Sequence, residues 1–308
     1  MHKSGKQIDK NRVFLYIKSS FDYRRSIALD ELVQNAIRSL YFQGKSDPRI
    51  DDHIEGTKSV IRRRVNKEIE NYNKYKTYLR FYWSPDDEDI LVGCAYPLPT
   101  DDKAERVKKR ILGNAFLLER ILTDLDALKF ETLCKRILCE LGCQFVGETR
   151  ATADGGIDFF GTLKFLKISD NPFFEKFSLV PSTKVHFIGQ AKRYSHTNII
   201  RPQHIREFVG SALVLKFSQG WDLGKELAIE NLPSKFLSPS DPIVWLFFST
   251  SFATQRAKQL ANKLGIHLQD GEDLARWIAY NPLLGCSQDE DELESELLRW
   301  VESAESQS

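Results

Sequence analysis

Two short motifs about thirty residues apart carry oxygen and amine side chains suited to a metal-dependent reaction at phosphate. The first, ADGGIDFF, is a glycine-rich turn that delivers Asp158 to the start of a strand. The second, IGQAKRY, presents Gln190 and Lys192 two residues apart, and such side chains point to the same face of a strand. Oxygen ligands bind hard cations, and a neighbouring ammonium can stabilise charge on a phosphate. These residues therefore predict metal-assisted hydrolysis of a phosphodiester.

The elements around the two motifs are predicted to form an α/β layer that positions them. The apolar spacing of DALKFETLCKRILCELG predicts a helix that stops at Gly142, and residues 163–183 are predicted to be an insertion. The remaining segments predict strands at QFVGET, IDFFG, KVHFIGQAKRY, IVWLFFST and IHLQD, and helices at PQHIREFVGSALVL, SFATQRAKQLANKLG and GEDLARWIAY. Strands that alternate with helices in this way predict an α/β sandwich.

The N-terminal part predicts a separate α+β domain. Amphipathic patterns predict helices over residues 29–42 and 57–72, followed by a hairpin of YKTYLRFYW and DILVGCAY. This order is compatible with a winged-helix variant and with many other small folds. The polar, proline-containing stretch at 96–108 predicts a linker, and a helix over 104–122 is expected to lead into the second domain. The predicted division is an N-terminal domain at 1–110, a second domain at 111–286 and an acidic tail at 287–308.

Charge is unevenly distributed although the formal net charge is only +1. Residues 1–110 carry about six excess positive charges, and the last twenty or so residues carry about seven excess negative ones. Arg62, Arg63 and Arg64 cluster on one predicted helix, which predicts either a phosphate-binding surface or an ordinary solvated face. The acidic tail is expected to be a solvated helix or a disordered end.

Cysteine usage and hydropathy predict a cytoplasmic protein with no membrane partner. The five cysteines are an odd number, no signal segment opens the chain, and no apolar run approaches the roughly 20 residues that cross a bilayer. Cys134, Cys139 and Cys143 lack the spacing of a zinc site and fall on a helical apolar pattern, which favours reduced core cysteines over a metal cluster.

Residues 124–280, approximately, resemble the Mrr-type restriction endonuclease domain, a branch of the PD-(D/E)xK nuclease superfamily. The matching motifs, in order, are KFETLCKRIL, ADGGIDFFG, GQAKRY with HIREFVGSAL, and FFSTSFATQRAKQLANKLGIHLQDGEDL. The resemblance implies a restriction-endonuclease-like αβββαβ core, with a mixed central sheet flanked by helices. It covers about half of the chain and leaves the N-terminal domain unassigned.

The resemblance also implies roles for four residues. Asp158 matches the metal-binding aspartate, and Gln190 matches a position that is a carboxylate in most of the superfamily and often glutamine in this branch. Lys192 matches the catalytic lysine, and Glu131 matches a helix glutamate that reaches toward the metal or its waters. The implied cofactor is Mg²⁺, for which Mn²⁺ would substitute, with Asp158 and Gln190 as ligands. Each residue taken alone also has a structural interpretation, as a turn residue, an edge-strand lysine or a helix-face glutamate.

Further polar residues near the second motif predict contacts with DNA. They are Arg193, Gln203, His204 and Arg206, which follow the strand or begin the next helix, and which could equally be solvated. His186 and His196 have no ligand-like spacing and are expected to be structural or surface groups. Asp154 is expected to shape the glycine-rich loop.

The resemblance implies a Mg²⁺-dependent DNA endonuclease of bacterial restriction or anti-phage defence. The N-terminal domain would recognise DNA, a protein partner or a small-molecule trigger, and cutting two strands would favour a dimer or larger assembly. Two alternatives remain open: a DNA-repair or junction-processing nuclease, and a non-catalytic protein that binds DNA or a partner on the same fold.

Overall fold

The computed structural model describes residues 8–42, 49–75, 79–148, 156–164, 184–195, 198–221, 237, 241–281 and 289–303. Its contacts divide the chain into two compact units. One comprises residues 1–120 with 278–280 and 286–290, and the other comprises 121–277 with 281–285 and 291–308. Asp154, His196 and most of the predicted insertion, residues 165–183, lie outside the described residues. The predicted domain limits at 110 and 286 stay a prediction.

The first unit combines helices with a small sheet, as the α+β prediction for the N-terminal part expects. Its elements are α1 (Lys10–Ser20), β1 (Ser26–Ala28), α2 (Leu29–Tyr41), α3 (Arg49–Tyr75), β2 (Phe81–Trp83) and β3 (Ile90–Gly93). The three strands form an antiparallel sheet in the order β1-β3-β2. The apolar face predicted for residues 29–42 is the buried face of α2. Helix α1 and strand β1 were not predicted, and α3 extends the predicted helix at both ends.

The second unit contains the predicted α/β core. Helix α4 (Lys103–Asp124) precedes this core, and its residues up to Arg120 belong to the first unit. Along the chain follow α5 (Ala127–Glu140), β4 (Phe145–Glu148), β5 (Phe159–Lys164), β6 (Lys184–Lys192), α6 (Pro202–Trp221), β7 (Ile243–Ser249), α7 (Gln255–Lys263), β8 (Ile266–Gln269), α8 (Gly271–Ala279) and α9 (Glu290–Glu302). Elements α5 to β7 reproduce the αβββαβ order, so the predicted fold class is confirmed.

The central sheet is mixed and runs in the order β4-β5-β6-β7-β8. Strands β4, β5 and β6 are antiparallel neighbours, whereas β6, β7 and β8 are parallel. Strand β7 is central and buried toward its end, as its apolar sequence predicts. Ile188 of β6 and Phe247 of β7 belong to a core cluster with Phe208 of α6, so the carboxyl end of β6 rests on a rigid support.

Two glycines end helices as the sequence predicts. Gly142 and Gly265 follow α5 and α7 with φ values of 86° and 69°. Such left-handed positions accept glycine without the steric cost that a Cβ would bring. The helix stops predicted from the sequence are therefore confirmed.

The acidic tail contains a packed helix rather than only a solvated one. Helix α9 buries Leu293, Leu297, Trp300 and Val301. The Trp300 indole N–H donates to Glu140 Oε1 at 3.2 Å, and the Arg136 guanidinium lies over its ring. The acidic side chains cover the outer face of α9, which is why composition alone pointed to a solvated segment.

None of the helices in the described ranges is both long and apolar enough to span a membrane.

Candidate active site

The two chemistry-bearing motifs meet at the carboxyl end of β6. Asp158 lies immediately before β5, and its backbone N–H donates to Gly189 O at 2.9 Å. Its carboxylate oxygen Oδ2 accepts a hydrogen bond of 2.7 Å from the backbone N–H of Ala191. Ala191 is the residue between Gln190 and Lys192. The carboxylate is therefore fixed against the short segment that carries the amide and the lysine.

Gln190 is almost fully buried, with 5% of its surface exposed. Its amide Nε2 lies close to Gly156, since a Cβ built on that glycine would be 3.2 Å from Nε2 and 2.6 Å from Ser211 Oγ of α6. Gly156 has φ 63°, so the turn before Asp158 needs glycine for its backbone as well as for space. The glycine-rich turn thus lets the Asp158 segment pack closely against Gln190 and α6.

Glu131 lies on α5, three residues before Cys134. The thiol of Cys134, one helical turn further along α5, is fully buried, and burial raises its pKa well above the usual value. The negative charges of Asp158 and Glu131 raise that pKa further. Both carboxylates therefore contribute to the electrostatic environment of Cys134. The membership of Glu131 in the site stays a prediction.

Burial raises the pKa of Asp158 above its ordinary value. The hydrogen bond from the Ala191 N–H and the charge of Lys192 oppose this effect but do not cancel it. A raised pKa means that the protein surroundings do not fully offset the cost of burying the negative charge of the carboxylate. A cation beside it would supply the missing charge, and this fits the predicted metal role.

The oxygen donors available for a hard cation are few. Asp158 offers a carboxylate and Gln190 a neutral amide oxygen. Among the described residues, no group of three His, Cys, Asp or Glu side chains is arranged to hold a metal. Carboxylate and amide oxygens suit Mg²⁺, which commonly keeps water and substrate phosphate among its ligands. The residues fit a weakly held Mg²⁺.

The cysteines agree with the structural interpretation. Cys134 is buried, Cys139 and Cys143 are partly buried, and all three are free thiols. Burial raises the pKa of Cys143 to about 11, so its thiol is protonated at neutral pH. The burial of Cys134 on α5 agrees with the apolar pattern on which it falls.

Four residues predicted to touch DNA follow Lys192. Arg193 Nε donates to Leu125 O at 2.7 Å, and its Nη2 donates to Thr123 O at 3.3 Å, so two of its N–H groups bind protein backbone. Gln203 Nε2 donates to Glu207 Oε1 at 2.8 Å, and His204 Nδ1 accepts the Arg201 N–H at 3.1 Å. Arg206 is exposed. Their contact with DNA stays a prediction.

The arginine cluster of α3 divides into engaged and exposed members. Arg62 forms an ion pair with Asp89, donates to Glu88 O and lies 5.0 Å over the Trp83 ring. Arg64 donates to Asn11 and lies 5.4 Å over the Phe14 ring. Arg63 is exposed. The three consecutive arginines are therefore not equivalent.

His186 is structural, as expected. It is 1% exposed, its Nδ1 lies 3.1 Å from Thr162 Oγ1, and its Nε2 lies 3.1 Å from Asp241 Oδ2. It pairs with Ile243 at the start of β7, whereas Gln190 and Lys192 pair with the end of that strand. The His186 group thus lies at the opposite end of β6 from Lys192.

Sequence reasoning missed Ser211 and Thr250. Ser211 packs against Gly156, and the Thr250 hydroxyl binds the backbone of Tyr194, two residues beyond Lys192. The run of hydroxyl residues in FFSTS, at the end of β7, was the available signal for Thr250. Its meaning depends on the parallel pairing of β6 with β7, which is not visible in the local sequence.

A cavity of about 350 Å³ lies elsewhere in the second unit. It is lined mainly by apolar side chains of α5, β7 and α8, together with His267 and Gln269. None of the predicted site residues lines it, and it contains no carboxylate or amine. The cavity is therefore separate from the candidate site at the carboxyl end of β6.

The fold and this arrangement define a restriction-endonuclease-like α/β domain. Residues 122–221 match the family model Mrr_cat, described as restriction endonuclease. This range includes Glu131, Asp158, Gln190 and Lys192, and it confirms the predicted Mrr-like restriction endonuclease domain at these residues. A restriction endonuclease domain supports a nuclease that acts on DNA.

The chain is also similar to a solved structure, the MspJI restriction endonuclease in complex with a 27-mer oligonucleotide. The sequence identity is 19% and the TM-score 0.37, over 65% of this chain and 39% of the other. The chain thus spans about two fifths of the length of that protein. No curated relative matches the chain.

Proposed function

We propose that the chain is a Mg²⁺-dependent DNA endonuclease whose site consists of Asp158, Gln190, Lys192 and Glu131. The hydrogen bond from Ala191 N to Asp158 Oδ2 is the observation that carries this proposal. It connects the carboxylate directly to the segment between Gln190 and Lys192, although these residues are more than thirty positions from Asp158. This proximity supports a shared site for the three side chains.

Each residue has a distinct role in the proposal. Asp158 and Gln190 would hold Mg²⁺, which when bound would stabilise negative charge on the scissile phosphate. Lys192 would orient the attacking water or stabilise the charge that develops on phosphate. Glu131, on α5, would position water molecules around the metal. The neutral Gln190 leaves the site with less negative charge than a carboxylate pair, so DNA phosphate is expected to complete the binding of the cation.

Cleavage of plasmid DNA tests the proposal. Supercoiled, linear and modified DNA would be incubated with the full chain in Mg²⁺, in Mn²⁺ or in EDTA. We expect cutting with either metal, none in EDTA, and none for Asp158→Ala. Asp86→Ala is the matched control, because it removes an exposed carboxylate from the first unit. Equal cutting by the wild type and by Asp158→Ala would rule out this site.

For the first unit we propose that the exposed face of α3 binds DNA. Arg63 and Lys67 are exposed and one helical turn apart, and Asn66 lies between them. Tyr72 is the one large apolar side chain of α3 that is exposed among the described residues. A protein interface normally has an apolar centre, whereas DNA is contacted by basic and amide side chains. The composition of this face therefore favours DNA over a protein partner.

The turn between β2 and β3 is unsuited to the same contact. Pro85 to Asp89 are exposed, and four of these five residues are acidic. Asp89 pairs with Arg62 and with Lys58 of α3. This acidic turn would repel phosphate, so α3 is expected to contact DNA without it.

Salt-dependent binding separates the arginines. Removing one phosphate contact lowers the slope of log affinity against log salt by about 1. We expect this for Arg63→Ala, whereas Arg62→Ala should keep the slope and lose stability through its Asp89 and Trp83 contacts. An unchanged slope for Arg63→Ala would reject α3 as a DNA contact and favour a protein partner or small-molecule trigger for this domain.

The biological setting that the family resemblance supports is restriction or anti-phage defence. We further propose that the active form is a homodimer or larger assembly, since each chain has one site and duplex cleavage needs two cuts. Size measurement in solution, with and without DNA, tests this. A monomer that linearises plasmid in a single binding event would contradict it.

A further inference from the structure

Thr250 lies just beyond the end of β7, and its hydroxyl binds the backbone close to the candidate lysine. Strand β7 ends at Ser249, opposite Lys192 in the parallel ladder. Thr250 Oγ1 then accepts the Tyr194 N–H at 2.9 Å and donates to Tyr194 O at 2.8 Å. One side chain thus satisfies both backbone groups of a single residue. The backbone N–H of Thr250 also lies 3.3 Å from Lys192 O.

We propose that Thr250 is a positioning residue for Lys192, acting through the backbone of Tyr194. This inference rests on the proposed nuclease function, in which Lys192 acts at the phosphate. The long lysine side chain has several freely rotating bonds, so the direction of its Cα–Cβ bond sets which positions the ammonium can reach. That direction is fixed only if the backbone on both sides of Lys192 is fixed.

The residues next to Lys192 are held on each side. The N–H of Ala191, before it, binds the Asp158 carboxylate, and the guanidinium of Arg193, after it, binds Leu125 O and Thr123 O. Strand β6 ends at Lys192, so no regular ladder continues beyond that residue. Thr250 supplies the backbone hydrogen bonds that the ladder would otherwise have given to Tyr194.

Thr250 is itself held in a rigid and dry environment. It is 1% exposed, so water does not compete for its hydroxyl. A Cβ built on Gly271 would lie 2.3 Å from Thr250 O, which shows that the start of α8 packs directly against its backbone. Asp270, 2% exposed, accepts the Ala253 N–H at 3.0 Å and pairs with Lys258 at 2.8 Å. These contacts hold the loop after β7 independently of the Thr250 hydroxyl.

Two substitutions at Thr250 distinguish positioning of Lys192 from a general contribution to stability. Thr250→Val has nearly the same shape but no hydroxyl, and Thr250→Ser keeps the hydroxyl. In single-turnover cleavage we expect Thr250→Val to slow the chemical step by about 10- to 100-fold, the scale expected for small misplacement of a reacting group. Thr250→Ser should restore most of the rate. DNA affinity measured in EDTA should differ little between Thr250→Val and Thr250→Ser. Thr250→Val should unfold at lower urea than Thr250→Ser, because it removes the hydroxyl that binds both backbone groups of Tyr194.

Two further readouts connect the effect to Lys192. In a Lys192→Ala background, Thr250→Val should cause no additional loss of the residual rate, since residues that act as a unit are not additive. Amide hydrogen exchange at Tyr194 should accelerate in Thr250→Val, and the Cε resonance of Lys192 should shift. A merely structural role would change stability without this dependence on Lys192.

The outcomes decide the proposal in each case. It is overturned if Thr250→Val cuts as fast as the wild type, if Thr250→Ser is as slow as Thr250→Val, or if the two losses add. If the wild type cuts no DNA under any condition, the proposed nuclease function fails separately. The Tyr194 exchange rate and the Lys192 resonance then still test the positioning, and unchanged values in Thr250→Val would overturn it.

Discussion

Gly156→Ala tests whether the glycine-rich turn packs the candidate site as the structure indicates. Gly156 has φ 63°, and an added Cβ would lie 2.6 Å from Ser211 Oγ and 3.2 Å from Gln190 Nε2. Gly265→Ala is a matched control, because Gly265 has φ 69° and a Cβ there would meet nothing within 4 Å. Both variants carry the same backbone penalty, and only the first disturbs the site.

The expected magnitudes follow from these contacts. A non-glycine residue in the left-handed region costs about 1–2 kcal/mol, which applies to both variants. Overpacking against Ser211 adds about 1–3 kcal/mol for Gly156→Ala alone. Since domains are stable by about 5–15 kcal/mol, both variants should remain folded. Displacement of the Gln190 amide should further slow cleavage by about 10- to 100-fold relative to Gly265→Ala.

Urea unfolding gives the free energy of unfolding of both variants, and single-turnover plasmid cleavage gives their cleavage rates. Equal unfolding free energies would show that Ser211 and Gln190 do not pack against Gly156. A normal cleavage rate with a reduced unfolding free energy would show that the position of Gln190 is not critical. Either result would refute the reasoning from the Gly156 contacts.

Three further predictions concern stability. Burial raises the pKa of Asp158, so the protonated carboxyl is more compatible with the folded state than the ionised one. The stability that protonation contributes is lost as pH rises through the folded-state pKa. Asp158→Asn should therefore unfold at higher urea than the wild type at pH about 7 in EDTA, although it abolishes cutting. This gain in stability should vanish at acidic pH, and a lower stability of Asp158→Asn at neutral pH would contradict the prediction. Burial lowers the pKa of His186 below 6.5, so the unfolded state takes up the proton first as pH falls. The unfolding free energy should therefore fall as pH drops below 6.5, by at most about 1.4 kcal/mol per pH unit. His186→Gln should flatten that slope, and an unchanged slope would exclude His186 as its source. Trp300→Ala should cost about 3–5 kcal/mol because Trp300 is 6% exposed, whereas exposed Glu294→Ala should change little, and thermal melts compare the two.

The sequence indicates that the candidate site residues lie together because their spacing has a direct physical meaning, while their roles stay a prediction. Residues two apart on a strand share a face, so the spacing alone places Gln190 and Lys192 together. The order of helices and strands then predicted the core. The bond from Ala191 to Asp158 could not be predicted, since it depends on the antiparallel register that sets Phe159 opposite Gly189.

What the sequence did not reveal has physical reasons. Strand β1 has only three residues, too few for a periodic signal. Helix α1 did carry a helical signal, since Val13, Phe14 and Ile17 are buried at helical spacing, and it was missed. Helix α9 did carry a signal, because Leu293, Leu297, Trp300 and Val301 recur at helical spacing, but the acidic composition obscured it. The arginines of α3 differ only through contacts with distant residues such as Asp89, which no local pattern contains.

The pairing of β6 with β7 has a consequence for how the protein acquires activity as it folds. Tyr194 and Thr250 are 56 residues apart, and a parallel pair needs a long crossover that forms slowly because chain entropy must be lost first. The antiparallel strands β5 and β6, which bring Asp158 to Lys192, need no such crossover. We therefore expect the carboxylate and the lysine to meet early and the lysine to be fixed late. A newly synthesised chain would then bind metal and DNA before it could cut, and competence to cleave would mark the last step of folding in this domain.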